Sequence, residues 1–154
     1  MRMSDTMKAG SRVLIRPTEE SDLSFVLAML EKAGLPREGV SSHFSDFLVA
    51  QREGRIVGAI GLERYGSIGL LRSAVVEPGL QRSGIGSMLV DGLLHASRDA
   101  GISRLILLTE TAEEYFRQKG FSTIDAREVS GPITSSAEFT GACPVSAVCM
   151  EKWL

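Results

Sequence analysis

The residues best able to do chemistry stand between positions 81 and 87, where the chain reads Gln81-Arg82-Ser83-Gly84-Ile85-Gly86-Ser87. An apolar run precedes them and a helical pattern follows. The first backbone N–H groups of a helix lack internal partners, and the helix dipole adds positive potential there. Glycines at 84 and 86 remove the Cβ atoms that would hold a bulky ligand away. Arg82 adds a cation that can bond an anion directly. The segment reads as a site for a phosphate-like group at a helix N-terminus. A P-loop is excluded because Gly86 is followed by Ser87 and Met88, not by Lys and a hydroxyl residue. A dinucleotide fingerprint is excluded because Leu89 stands where its last glycine belongs.

The cysteines point to no metal. Cys143 and Cys149 are separated by five residues with no histidine nearby, a poor spacing for zinc. Cys149 lies in the apolar Ala147-Val148-Cys149-Met150 and reads as a buried strand residue. Cys143 precedes Pro144 in a loop, where a thiol could meet a substrate, although reduced structural thiols are the simpler reading.

The elements that must carry this loop follow from periodicity. Residues 1–10 are polar and aperiodic and read as a mobile tail; residues 11–154 read as one domain. A strand over 11–16 ends at Pro17. Leu23, Val26, Leu27 and Leu30 then repeat at helical spacing up to Gly34. Residues 35–46 read as a short helix or a loop. Strands over 47–51, 56–62 and 70–76, joined by tight glycine turns, form an antiparallel meander. After Pro78-Gly79 a long helix keeps Ile85, Leu89, Leu93 and Ala96 on one face up to Gly101. A buried strand over 105–108, a helix over 112–119, and strands over 121–126 and 146–153 complete the chain. Between those last strands, residues 127–145 are rich in Ser, Thr, Gly and Pro and read as a surface loop. The sum is an α/β chain with a mixed sheet flanked by helices.

Composition bounds the partners. The chain has 154 residues and a net charge of −2, with 44% apolar and 23% charged residues. A chain of this length buries about 68–70% of its unfolded surface and needs no disulfide or metal to fold. The charge offers no field for nucleic acid, and no apolar run is long enough for a membrane. The start lacks an apolar signal core, so the expected location is cytoplasmic.

The loop at 81–87 matches the Gln/Arg-x-x-Gly-x-Gly/Ala motif of the GNAT N-acetyltransferases, and the resemblance extends along the chain. Arg16-Pro17 with Asp22-Leu23 resembles the family's opening strand and helix. Gly54-Arg55-Ile56-Val57-Gly58 resembles its central hairpin, and Leu71-Arg72-Ser73-Ala74-Val75-Val76-Glu77-Pro78 the strand before its cofactor loop. Tyr115-Phe116-Arg117-Gln118-Lys119-Gly120-Phe121 resembles its later helix and turn. Leu107-Leu108-Thr109-Glu110-Thr111-Ala112, Ser136-Ala137-Glu138-Phe139 and the 143–150 stretch are similar to the arsenic-resistance and amino-acid (glutamate-like) branch, as is Gly61-Leu62-Glu63-Arg64-Tyr65-Gly66.

The resemblance implies a GNAT fold: a mixed sheet of about seven strands, splayed between the fourth and fifth. It implies acetyl-CoA as co-substrate, no metal, a homodimer, and direct transfer of acetyl to a small amino-acid-like amine. A protein lysine or N-terminus as acceptor, or an acyl-CoA-binding module without turnover, stays open as an alternative. Ala74, Val75 and Val76 would line the pantetheine, with an amide near Val76 polarising the thioester carbonyl. Gln81, Arg82, Ser83, Gly84, Ile85, Gly86 and Ser87 would hold the pyrophosphate, with Phe116 and Lys119 beside the cofactor. Arg72, Ser73 and His43 would face the acceptor. Glu63 is the first candidate for proton acceptor and Glu110 the second. Phe116 occupies the position where many relatives carry a tyrosine that protonates the leaving thiolate, and Tyr115, one residue earlier, is expected to point elsewhere. The thiolate then leaves unassisted, or another group or water protonates it.

Overall fold

A computed structural model describes residues 12–142 and 145–154. The expected tail over 1–10 and Cys143 lie outside the described residues. Seven strands form one sheet in the order β1-β2-β3-β4-β5-β7-β6. They are β1 (Val13–Pro17), β2 (Leu48–Arg52), β3 (Arg55–Tyr65), β4 (Ile68–Val76), β5 (Arg104–Thr109), β6 (Ser122–Ile124) and β7 (Val148–Trp153). Only β4 and β5 run parallel, because a helix must carry the chain back between them. That helix is α3 (Ile85–Asp99). The others are α1 (Leu23–Lys32), α2 (Val40–His43) and α4 (Glu113–Gln118).

Strand β3 is buried along most of its length because helices cover both of its faces. On one face Leu89 and Leu93 of α3 pack with Val57 and Leu62 of β3. On the other, Val26 and Leu30 of α1 pack with Phe44, Phe47 and Ala59. Gly61 permits the tightest contact there: a Cβ at that position would lie 2.2 Å from Cζ of Phe47. The start of α1 is fixed from β1. Asp22 accepts two bonds from the Arg16 guanidinium, at 2.9 and 3.0 Å, and a third from the Glu19 backbone.

Residues 35–46 resolve into α2 followed by one 3₁₀ turn at Phe44–Asp46. The segment after β6 is more than the surface loop expected. It makes 3₁₀ turns at Ala126–Glu128 and Pro132–Ser135 and a π-type turn at Glu138–Ala142. Val129 and Ile133 are buried against Leu70, Ile106 and Cys149. The sheet face around β4, β5 and β7 would otherwise meet water, and burying a residue such as Ile133 is worth about 1.5–3 kcal/mol. Val129, Ile133 and Phe139, scattered in a long polar stretch, carry that contact, so composition hides it. Cys149 is buried as expected, and burial pushes its thiol up to about 11.

Candidate active site

The sheet opens at its centre. Strands β4 and β5 pair only through Ile68, Gly69 and Leu70 opposite Arg104, Leu105 and Ile106. Beyond that point β5 stays with β7 as far as Thr109 and Val148, while β4 keeps to β3. The expected splay is therefore present. It forms a cleft of about 400 Å³ walled by the outer half of β4, the end of β5, α3 and α4.

A bulge shapes the β4 wall. Ala59 opposes Val75 and Gly61 opposes Arg72, so both Ser73 and Ala74 face the single residue Ile60. A bulged residue loses its ladder partner, which leaves backbone polar groups beside the cleft. Ser73 adopts φ of 60°, a left-handed conformation that costs a non-glycine residue about 1–3 kcal/mol. Ala74 is exposed to the cleft, with Val75 and Val76 next along its wall.

The loop at 81–87 opens α3 as expected. Gly84 is the N-cap with φ of 91°, and no side chain caps the helix. Glycine serves this backbone turn, since a Cβ at 84 would meet nothing within 4 Å. The Gln81 amide donates to the Val76 carbonyl at 3.4 Å, and the Ser83 hydroxyl donates to the Leu80 carbonyl. Arg82 is exposed, whereas Ile85 turns into the core and can offer a ligand only its backbone. Lys119 donates to Ser87 Oγ and pairs with Asp91 at 3.1 Å, which brings a second cation to the first turn of α3.

Two aromatic rings close that end of the cleft. Phe116 is buried, edge-on to Phe121 with ring centres 5.6 Å apart, and reaches the wall. Tyr115 corrects the sequence expectation, because it lines the cleft instead of pointing away. Its hydroxyl lies 3.9 Å from the place a Cβ at Gly86 would occupy. One helical residue turns a side chain by about 100°, but α4 lies so that both directions border the opening.

The other end of the cleft holds a buried charge cluster. Arg72 on β4 has no exposed side-chain surface and still borders the cleft. Its Nε donates to Ser73 Oγ at 3.0 Å, one terminal nitrogen to Glu63 Oε2 at 2.7 Å, and the other to the Pro36 carbonyl at 3.2 Å. That last nitrogen also lies 3.5 Å from Oε2 of Glu138. Gly39 covers the pair, since a Cβ there would stand 3.1 Å from the guanidinium.

Glu63 is not the open, cleft-facing carboxylate expected of a base. Its side chain is 1% exposed and directed into Arg72, with the Tyr65 hydroxyl donating to its other oxygen. Burial raises its affinity for a proton. The bonds from Tyr65, Arg72 and Ser136 and the field of His43 outweigh that and hold the carboxyl below the usual range. Burial, and then the bond to Glu63, push the Tyr65 phenol up to about 12. His43 lies 3.7 Å from Glu63 and is not among the residues bordering the cleft. Glu110, the second candidate, borders the cleft and accepts a bond from Ser146.

Glu138 and Tyr115 were not singled out as site residues by sequence reasoning. One signal for Glu138 was present: it is the only charged residue between Glu128 and Glu151. An acid is seldom buried unless it is paired, and its pairing with Arg72 came only from the fold.

Residues 43–123 match the family model of an acetyltransferase (GNAT) domain. Among curated proteins, the chain is 29% identical over 126 residues to an amino-acid acetyltransferase of Neisseria meningitidis, covering 76% of this chain and 29% of that one. It is 33% identical over 93 residues to an amino-acid acetyltransferase of Mycobacterium tuberculosis, covering 57% of this chain and 52% of that one. The chain thus spans about a third to a half of the length of these relatives. Among solved structures, N-acetylglutamate synthase from Neisseria gonorrhoeae, complexed with coenzyme A and N-acetyl-glutamate, superposes with a TM-score of 0.80 at 25% identity. That match covers 94% of this chain and 35% of that one. Rv2747 of Mycobacterium tuberculosis, in complex with CoA, shares the fold at 23% identity and a TM-score of 0.79, covering 92% of this chain and 99% of that one.

Proposed function

This chain belongs to the GNAT acetyltransferase family, and from that premise we propose that it transfers acetyl from acetyl-CoA to the amine of a small amino-acid-like acceptor. The observation that carries the acceptor class is the buried Arg72 at one end of the cleft. A guanidinium held flat by three protein partners suits a planar carboxylate and offers little to a lysine side chain. The names of the curated relatives agree with this reading.

Acetyl-CoA would supply an activated thioester. The residues present fit it: the first turn of α3 leaves its N–H groups uncapped, with Arg82 and Lys119 nearby. Residues 81–87 would hold the pyrophosphate, and the bulged wall of Ala74, Val75 and Val76 would line the pantetheine. An amide near Val76 would then donate to the thioester carbonyl, where negative charge develops during attack. Direct transfer in a ternary complex rests on this positioning, with one wall holding donor and acceptor together.

The acceptor ammonium must lose a proton before it attacks, and its second proton leaves as the amide forms. One of the two balances the departing thiolate. Tyr115 carries a hydroxyl and borders the cleft, and we assign it the role of proton donor that Phe116 cannot play. Glu63, with Ser73, positions Arg72 for the acceptor carboxylate, and His43 acts at one remove through Glu63. The resemblance to the arsenic-resistance branch extends the acceptor class to arsenic-bearing amino acids. A cytoplasmic homodimer is the assembly that goes with this reading.

The test is release of CoA from acetyl-CoA with a panel of amino acids, arsenical amino acids, basic peptides and simple amines. The expected result is stimulation by amino-acid-like acceptors above the rate of hydrolysis. Stimulation by peptides alone would move the acceptor to a protein. Tight CoA binding with no turnover on any amine would reduce the chain to a binding module.

A further inference from the structure

We propose that Tyr65 is a positioning residue for the acceptor: its hydroxyl pins one oxygen of the Glu63 carboxylate so that the other stays on Arg72. It thereby sets the affinity for the acceptor carboxylate. This rests on the reading of Arg72 as the group that takes that carboxylate.

The register of the sheet puts the three side chains on one face. Side chains alternate along a strand, so Glu63 and Tyr65 of β3 point the same way. Glu63 lies opposite Leu70 of β4, and Arg72 stands two residues further on, which makes it the diagonal neighbour of Glu63 on that face. The two oxygens of Glu63 are divided between these partners. Oε2 accepts from Arg72 at 2.7 Å, and Oε1 accepts from the Tyr65 hydroxyl. Nε2 of His43 stands 3.7 Å from Oε1, beyond hydrogen-bond length. The Ser136 hydroxyl is a further donor to the carboxylate.

Of these three side chains, Arg72 alone reaches the cleft; neither Glu63 nor Tyr65 is among the residues bordering it. What Tyr65 contributes to the acceptor therefore passes through Glu63. The terminal torsion of a glutamate side chain is broad and holds no single angle by itself. Bonds at both oxygens fix it, and with it the direction in which Arg72 is held. A guanidinium already in place loses less to ordering when it pairs with a planar carboxylate. Tyr65 suits this task in two ways. Its ring packs against the cluster of Leu70, Ile106 and Ile133, so its hydroxyl arrives at a set place. Its phenol is pushed up to about 12, by burial and then by the bond to Glu63, so it stays a donor at neutral pH.

The experiment is steady-state acetyl transfer by wild type and Y65F with two probes, L-glutamate and its diamide, in which both carboxylates are masked. Phe keeps the ring and its packing and removes the hydroxyl alone. The KM for glutamate should rise about three- to tenfold, less than the loss of a direct bond to a charged group would give. The kcat, the KM for acetyl-CoA and the kcat/KM for the diamide should not change. A CoA-induced thermal shift equal to that of wild type shows that Y65F is folded. In an E63Q background most of the effect of Y65F should vanish, because the charge through which Tyr65 acts is gone; fully additive losses would overturn the proposal. A fall in kcat, or an equal loss with the diamide, would overturn it as well, since the hydroxyl would then support the cleft as a whole. An unchanged KM for glutamate in Y65F would sink this inference and leave the acetylation reading standing. Absence of glutamate turnover by wild type would overturn both.

Discussion

Replacing Glu63 by Gln tests whether the buried charge cluster holds the acceptor end together. Arg72 has no exposed side-chain surface, and its shortest bond is to Glu63 at 2.7 Å. Removing one partner of a buried pair costs about 3–5 kcal/mol. Gln keeps an oxygen for Arg72 but loses the charge and turns an NH2 group toward the Tyr65 hydroxyl, so about 2–3 kcal/mol is expected, the difference between a charged and a neutral bond plus part of the stranded guanidinium. For a domain of this size about 2–4 °C accompanies each kcal/mol, which places the melting temperature roughly 4–12 °C lower. The loss should depend on pH with a definite sign. The Glu63 carboxyl is held below its ordinary range in the folded chain. Its contribution is therefore complete above the unfolded carboxylate value and disappears as pH falls through the lowered folded value. Thermal melts of wild type and E63Q at neutral pH should differ, and the two curves should converge in acid. A gap that stays constant down to acid pH, or a variant as stable as wild type, would refute this account of the cluster.

Gly86→Glu or Gly84→Glu should abolish the CoA-induced thermal shift, since each places an acid at the uncapped start of α3, where phosphate is expected. Gly61→Ala should destabilise by at least the roughly 1–3 kcal/mol typical of overpacking, because its Cβ would meet the Phe47 ring at 2.2 Å; denaturant melts read this, and Phe47→Leu in the same chain should restore part of it. Tyr115→Phe should lower kcat with little change in KM for the acceptor or in melting temperature; an unchanged kcat would remove Tyr115 from the proton path. In a Cys143→Ser background, Cys149 should resist a thiol reagent at neutral pH and react only on unfolding, because it is buried and its thiol titrates near 11.

The chain's local patterns carried its elements and their order along the chain. The meander, the long helix after Pro78-Gly79 and the apolar strand before the second helix are each set by nearby residues, and nearby residues are what periodicity reads. The glycine loop that opens α3 was legible for the same reason: a helix start with Gly84 and Gly86 is a local object. The acceptor end was not. Glu63, Arg72 and Glu138 come from β3, β4 and a turn far along the chain, and the pairing of their charges depends on distances in space. Tyr115 was expected to point away because one residue of helix phase was judged without the neighbour it packs against. The polar 127–145 stretch hid Val129 and Ile133, whose value lies in the sheet face they cover.

By itself, then, the sequence determined the class of fold, the glycine loop at the start of the long helix and the family resemblance. Each depends on contacts within a few residues or on residue type in order. Tertiary structure decided which charged groups are buried together, which way the carboxylate of Glu63 faces, and that Glu138 and Tyr115 stand on the cleft. Those outcomes follow from the divergence of β4 and β5 and from desolvation, which turn an ordinary strand carboxylate into the partner of a buried arginine.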